Sequence, residues 1–197
     1  MCTKQFLLIY LMNFLSIFLG IFLIGSEKEF GKDHFTNEKF LSLVASCGGI
    51  FSALRFIWSF LLDKFQYKVI YGILLAMQVF IGAALPYFLD QEISTSTKEA
   101  IFFAMIMAAF FCEGGHFVLA PTICGKLFGA EGGIRVFSVC YSFCGCASLI
   151  NIVLIDLLFD EWLDIGFEGF CHVYSMLSLL SLFILIFIFR EEKAFLK

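Results

Sequence analysis

The sequence predicts an all-α integral membrane protein, a bundle of six transmembrane helices formed by residues 1–197 as a single domain. Of these residues, 61% are hydrophobic and only 15% are charged, and the mean hydropathy is +0.95. Six apolar segments each reach the length of about 20 residues that a helix needs to cross a hydrocarbon core of roughly 30 Å. The polar segments between them are short, so no soluble domain fits between the helices.

The predicted spans are residues 5–25, 40–62, 69–89, 100–123, 136–159 and 169–189. The first span resembles a secretory signal in position, but its apolar core of about 20 residues exceeds the usual 7 to 15, so we expect a retained helix. Small residues in the second and third spans, such as Gly49, Ala53, Gly72 and Gly82, permit close packing of helices. The segments 26–39, 63–68, 90–99, 124–135 and 160–168 are expected to be loops.

Lysine and arginine positions predict the orientation in the membrane, because cytoplasmic loops carry an excess of both. A cytoplasmic N-terminus puts eight of them on the cytoplasmic side and four on the other. The eight are Lys4, Lys64, Lys68, Lys126, Arg135, Arg190, Lys193 and Lys197. We therefore expect a multi-pass protein with both termini in the cytoplasm, while the sequence carries no signal for a particular membrane.

Arg55 interrupts the second apolar run, which is otherwise uncharged from residue 40 to residue 62. Asp63 marks the end of this run, and a rise of 1.5 Å per residue places Arg55 about 12 Å deeper in the membrane. An arginine at that depth is unfavourable by about 2.5 to 3.5 kcal/mol. Arg55 should therefore face the protein interior, a water-filled path or a counter-ion, which makes it a candidate functional residue.

Glu113 and His116 lie three residues apart in the fourth span and so share a helix face. A buried carboxylate beside an imidazole suits proton or substrate binding. The alternatives are that Glu113 pairs with Arg55, or that it hydrogen-bonds a neighbouring helix; metal ligation is disfavoured, since one Glu-x-x-His is half of a di-metal motif. Gly114, Gly115 and Pro121 permit a bend in this span, although we expect no break.

Several classes of function find no support in the sequence. Eight cysteines are present, but Cys140, Cys144 and Cys146 form no C-x-x-C pair, and we interpret the cysteines as packing residues without a metal, cofactor or redox role. No run of five basic residues indicates nucleic-acid binding. No hydrolase, nucleotide-binding or zinc-protease motif is present, so an enzyme is not expected.

Two stretches resemble major facilitator transporters of the oxalate/formate antiporter-like group. Residues 48–68 resemble the eighth helix and its following loop, and residues 114–129 resemble the tenth helix and its loop. In that group and in the related monocarboxylate transporters, an arginine of the eighth helix binds the substrate carboxylate. The resemblance implies this role for Arg55, with Glu113 or His116 as its resting-state or proton-coupled partner. It implies a small organic anion as the substrate.

The loop Asp63-Lys64-Phe65-Gln66-Tyr67-Lys68 resembles the facilitator signature Asp-Arg/Lys-x-Gly-Arg/Lys. In that family the charges, here Asp63, Lys64 and Lys68, latch helix ends together on the cytoplasmic side during alternating access. Gln66 stands where the turn glycine is expected, and glutamine fits a type I turn. The alternative is an ordinary charged membrane edge.

Two departures from the family refine the expectation. Oxalate-specific members carry a second cation in the eleventh helix, whereas the fifth span here has neither Lys nor Arg, which favours a monocarboxylate over a dianion. The chain also supplies only six of twelve spans, the C-terminal half of such a fold, arranged as two inverted three-helix repeats. A homodimer or a second six-span chain would then complete the transporter. A non-transporting accessory subunit and an incomplete fragment are the alternatives.

Overall fold

The computed structural model describes residues 4–157 and 166–190, apart from the side chains of residues 130, 156 and 157. Within these ranges the chain is helical and contains no strand. The helices are α1 Lys4–His34, α2 Glu38–Ala53, α3 Phe56–Lys64, α4 Tyr67–Asp90, α5 Thr95–Cys140, α6 Ser142–Leu157 and α7 Phe167–Phe183, with a π-helix at Ile184–Ile188.

Six of the described helical segments are long and apolar enough to cross a membrane. We call them spans 1 to 6 in chain order: Lys4–His34, Glu38–Lys64, Tyr67–Asp90, Thr95–Gly129, Glu131–Ile155 and Phe167–Ile188. They confirm the predicted class, a multi-pass membrane protein built from α-helices. Residues 160–165 of the predicted last loop, together with Lys193 and Lys197, lie outside the described residues.

The predicted loop at 26–39 is wrong over most of its length, because α1 continues to His34. The polar sequence stays helical since one of its faces is buried. Phe30 stacks on Phe167 with ring centroids 3.5 Å apart, and Gly31 packs against the side chain of Leu41. Lys28, Glu29, Lys32 and Asp33 lie on the exposed side, whereas Glu27 is buried with the apolar face.

The predicted loop at 124–135 is also wrong, because a single glycine makes the turn between spans 4 and 5. Gly129 has φ +77° and ψ 172°, a backbone conformation that glycine adopts without a steric penalty. A second glycine lets the two arms meet: a Cβ placed on Gly133 would lie 2.7 Å from the Cα of Gly125. The turn therefore needs no longer linker.

Span 2 breaks where an unbroken helix was expected. Helix α2 ends at Ala53, α3 begins at Phe56, and the backbone N–H of Arg55 donates to the carbonyl of Ser52, 3.2 Å away. On the far side of the break, Trp58 Nε1 donates to the carbonyl of Phe111 at 3.0 Å, which ties α3 to span 4. Span 5 is interrupted in a similar way at Tyr141, between α5 and α6. Span 4 remains helical through its glycine pair and proline, as expected.

Hydrogen bonds bring both described ends of the chain to the same end of the bundle. Gln5 Nε2 donates to the carbonyl of Arg190 at 3.1 Å, and Lys126 Nζ donates to that of Leu62 at 3.4 Å. At the opposite end, Lys98 Nζ donates to the carbonyl of Leu89 at 2.6 Å. Spans 1 to 6 therefore cross the bundle in alternating directions.

The core forms where six pairs of described spans pack against each other. Span 1 packs against spans 4, 5 and 6; span 2 packs against span 4; and span 3 packs against spans 4 and 6. The largest fully buried side chains are aromatic, and they include Trp58, Tyr67, Tyr71 and Tyr174. Spans 1 and 4 thus contact most of the other helices and occupy the centre of the bundle.

Gly114 is required where span 2 crosses span 4, because a Cβ at this position would lie 2.6 Å from the carbonyl oxygen of Ser52. We expect Gly114→Ala to lower the free energy of unfolding in detergent by about 1 to 3 kcal/mol through overpacking. Gly49→Ala is the control, since a Cβ at Gly49 meets no atom within 4 Å. Equal stability of the two variants in a denaturant titration would contradict the close crossing.

Candidate functional site

Arg55 lies at the break in span 2, with its side chain exposed on the surface of the bundle. A Cβ placed on Gly114 would lie 3.3 Å from Arg55 Cβ, so the first atoms of the Arg55 side chain pack against the backbone of span 4. The guanidinium makes no ion pair with a carboxylate among the residues that the structure describes. The site predicted around Arg55 is therefore open on one side.

Glu113 precedes Gly114 on span 4 and is half-buried. Its side chain leads toward span 1, where a Cβ placed on Gly20 would lie 3.1 Å from Glu113 Cγ. Gly20 thus leaves room for the carboxyl side chain between the two helices. Glu113 and Arg55 occupy adjoining crossings on span 4, but they do not form the direct ion pair that was one expectation for them.

Tyr141 joins these two residues, and sequence reasoning did not identify it. Tyr141 contacts Phe117, which lies one helical turn along span 4 from Glu113 and from Gly114, the residue against which Arg55 packs. The ring contacts Phe137 and Phe117, with centroids 5.5 and 6.0 Å away. No motif marks this tyrosine in the sequence; only the packing of spans 2, 4 and 5 around one point reveals it. We call Arg55, Glu113 and Tyr141 the open polar face.

His116 points into the bundle and away from the open polar face. It is fully buried, its Nε2 lies 3.3 Å from Gln78 Oε1 on span 3, and its ring meets the Tyr71 ring edge to face at 5.7 Å. Because the amide oxygen accepts, the Nε2–H donates in this arrangement. The structure thus brings Arg55 and Glu113 to one face, while no described contact links His116 to either.

The buried polar cluster extends from His116 to spans 1 and 6. The Tyr71 hydroxyl lies 2.9 Å from Ser16 Oγ, and Ser181 Oγ donates to the carbonyl of Met12 at 2.9 Å. Because an unpaired polar group is costly in an apolar interior, such bonds fix the relative positions of these helices. This cluster, which consists of Ser16, Tyr71, Gln78, His116 and Ser181, links four spans.

The predicted gating residues lie at the end of the bundle that carries both described chain ends. Lys68 Nζ donates to the carbonyls of Ile186 and Phe189 at 2.8 and 3.4 Å, and so joins the start of span 3 to the end of span 6. Lys64 lies over the Phe60 ring at 4.2 Å, and Asp63 is exposed. A cation at helix C-terminal carbonyls is also favoured by the helix dipole.

The backbone of this loop differs from the expected type I turn. Phe65 and Gln66 are both extended, with φ −123° and −68°. Gln66 therefore has an ordinary negative φ, and no glycine is required at this position. The departure from the family signature carries no conformational penalty here.

No group of three His, Cys, Asp or Glu residues that could hold a metal ion occurs within residues 4–157 and 166–190. Two buried thiols, Cys124 and Cys140, lie near each other on the two arms of the Gly129 turn. Both cysteines are free thiols in this structure. Their proximity was not evident from their spacing in the sequence.

No protein-family model matches this chain, and no curated protein matches it either. The likeness to the major facilitator group therefore depends on the residues quoted above alone. The open polar face and the buried polar cluster define what the chain can do chemically. The first can bind a ligand that reaches it from outside the bundle, and the second holds the helices together.

The burial of His116 gives a prediction about stability. We expect His116→Ala to lower the free energy of unfolding by about 1 to 3 kcal/mol, because Gln78 is left without its partner inside the bundle. His172→Ala is the control: His172 is exposed on span 6, and its loss should change stability by less than about 0.5 kcal/mol. Unfolding by a denaturing detergent measures both. A His116 variant as stable as the control would contradict this assignment.

Proposed function

We propose that this chain is one half of an alternating-access transporter for a small organic anion, with a monocarboxylate as its substrate. The observation that carries the proposal is the position of Arg55: an exposed guanidinium at a break inside an apolar span, with no carboxylate paired to it in the described structure. A cation held at that depth is costly. A carboxylate that binds there offsets the cost, because the planar guanidinium donates two parallel hydrogen bonds to its two oxygens.

Glu113 couples substrate binding to a proton in this proposal. It lies next to Gly114 on span 4, the residue against which Arg55 packs. A second negative charge arriving at this face disfavours the ionised form of Glu113, since like charges repel. Substrate binding and protonation of Glu113 therefore favour each other, so that the anion and the proton move together. His116, buried behind this face, has no direct part in the coupling.

The helix pairings support two inverted three-helix repeats, as in half of a major facilitator fold. If the two halves are equivalent, span 1 corresponds to span 4, span 2 to span 5 and span 3 to span 6. The packing of span 1 on span 6 then corresponds to that of span 4 on span 3. In the same way, the packing of span 2 on span 4 corresponds to that of span 5 on span 1. All four pairings occur. The pairings of spans 1 with 4 and 3 with 6 map onto themselves and also occur. Since each repeat has three spans, the second repeat runs inverted.

The loop at 63–68 provides the gate in this proposal. Lys68 binds the carbonyls at the end of span 6, and Lys126 binds the end of span 2. These contacts hold the cytoplasmic ends of the helices together in the conformation described here. Asp63 and Lys64, both exposed, are then available to the other half of the transporter. The orientation with both termini in the cytoplasm follows from the excess of Lys and Arg at this end.

The role of Arg55 can be tested by uptake of radiolabelled carboxylates into proteoliposomes. We expect Arg55→Ala to abolish uptake, and Arg55→Lys to reduce it at least tenfold, because lysine keeps the charge but loses the planar fork. Arg135→Lys is the matched control at an exposed arginine outside the open polar face. Uptake that survives in both Arg55 variants, at normal expression, would refute the assignment.

The role of Glu113 can be tested by the pH dependence of the same uptake. If substrate enters with a proton, wild-type uptake rises as the external pH is lowered, and Glu113→Gln removes that dependence because glutamine cannot take up the proton. Glu131→Gln, at an exposed glutamate, should leave the dependence unchanged. A pH profile that is the same in wild type and Glu113→Gln would give Glu113 a structural role only.

A partner is required, because the open polar face would otherwise expose its charges to lipid at a cost of several kcal/mol. We expect native mass spectrometry in mild detergent to show either two copies of this chain or one copy with a second six-span protein. A homodimer would place the two faces against each other about a two-fold axis. A transport-active species with one copy and no other protein would contradict the half-transporter, whereas a stable complex without transport would favour the accessory subunit.

A further inference from the structure

Two of the spans that surround the open polar face are interrupted inside the membrane. Span 2 is broken at Leu54 and Arg55, and span 5 is broken at Tyr141, between helices α5 and α6. Spans 2 and 5 are equivalent members of the two proposed repeats. At both places the backbone tightens locally to hydrogen bonds between residues i and i−3, as from Arg55 to Ser52 and from Cys144 to Tyr141. Paired irregularities in corresponding spans of inverted repeats point to a substrate site.

The two interruptions meet at the same place. Arg55 at one break packs against Gly114 of span 4, and Tyr141 at the other contacts Phe117, one helical turn further along the same span. Glu113 precedes Gly114 on span 4. Tyr141 is 44% exposed, although its ring is held in position by Phe117, Phe137 and Phe143 at centroid distances of 6.0, 5.5 and 6.3 Å. Its position is therefore fixed while one side of the ring stays open.

The Tyr141 hydroxyl has no hydrogen-bond partner in the part of the chain that the structure describes. A hydroxyl at membrane depth without a partner is unfavourable, and it is a donor that a carboxylate can use. We propose that Tyr141 is the second ligand of the substrate, with its O–H donating to one carboxylate oxygen while Arg55 holds the group through its fork. This inference rests on the proposed function.

The charges at this face also limit the substrate. Arg55 provides one positive charge, Tyr141 is neutral, and Glu113 is neutral only when protonated. A substrate with a single carboxylate is therefore fully paired, whereas a second carboxylate on the same molecule has no cation to meet in a medium of low dielectric constant. The open polar face therefore favours a substrate with one carboxylate over one with two, and that carboxylate is the part of the substrate that contacts Arg55.

The experiment is equilibrium binding to the protein as purified with its native partner in lipid nanodiscs. The probes are radiolabelled acetate, pyruvate and oxalate. We expect Tyr141→Phe, which removes only the hydroxyl and keeps the ring contacts, to weaken acetate and pyruvate binding at least tenfold, the effect of losing a hydrogen bond to a charged group. Oxalate should bind more weakly than both in the wild type. Tyr87→Phe is the control, since Tyr87 is exposed on span 3.

The outcomes separate this inference from the function on which it rests. Unchanged monocarboxylate binding in Tyr141→Phe, combined with loss of binding in Arg55→Ala, refutes the role of Tyr141 and leaves the function standing. Unchanged binding in Arg55→Ala, or no binding of any probe by the wild type, overturns both. Tighter binding of oxalate than of acetate and pyruvate refutes the charge argument. Equal weakening in Tyr141→Phe and Tyr87→Phe would show a nonspecific effect and also refute the role of Tyr141.

Discussion

The cost of a guanidinium inside an apolar span is the constraint on which the arrangement of this bundle depends. Arg55 lies deep in span 2, and no described carboxylate neutralises it by direct contact. The helix breaks at this residue, the neighbouring crossing uses Gly114 in place of a larger residue, and two further polar side chains, Glu113 and Tyr141, gather beside it. Each of these features either departs from regular packing or places a polar group in the membrane. Together they support the binding site that we propose at Arg55.

The buried polar cluster and the open polar face both include residues of span 4, but the first is enclosed by the bundle and the second is open to its surroundings. The buried polar cluster around His116 is enclosed, and its hydrogen bonds join spans 1, 3, 4 and 6. The open polar face lies on spans 2, 4 and 5, where Arg55 and Tyr141 are exposed. Glu113 and His116 are three residues apart, and the angle of about 60° between such positions is enough to send one to each group. The spacing predicts that Glu113 and His116 share a helix face, but the two side chains do not belong to the same site.

The sequence predicted the features that depend on hydropathy, which includes the six spans and the class of protein. It could not predict features decided by single contacts. The loop at 124–135 is absent because Gly129 turns the chain alone, and the loop at 26–39 is mostly helix because Phe30 finds a partner in Phe167. Tyr141 has no signature at all, since an aromatic residue in an apolar span looks like a packing residue until its neighbours are known. Arg55 was evident because charge is rare in such a segment, but whether it is buried or open depends on helices distant in sequence.

In the half-transporter that we propose, the enclosed polar cluster lets the chain keep its shape before a partner covers the open polar face. The hydrogen bonds from Tyr71 to Ser16 and from His116 to Gln78 lie within the bundle, so they do not depend on what covers Arg55. A rigid bundle is also what alternating access requires, because one half rocks as a body against the other around a fixed site. The contacts of Lys68 with the end of span 6 can then open and close at the rim without disturbing that interior. In this proposal, stability and movement depend on different sets of residues: the enclosed cluster in the interior, and the lysine contacts at the end of the bundle that carries both described chain ends.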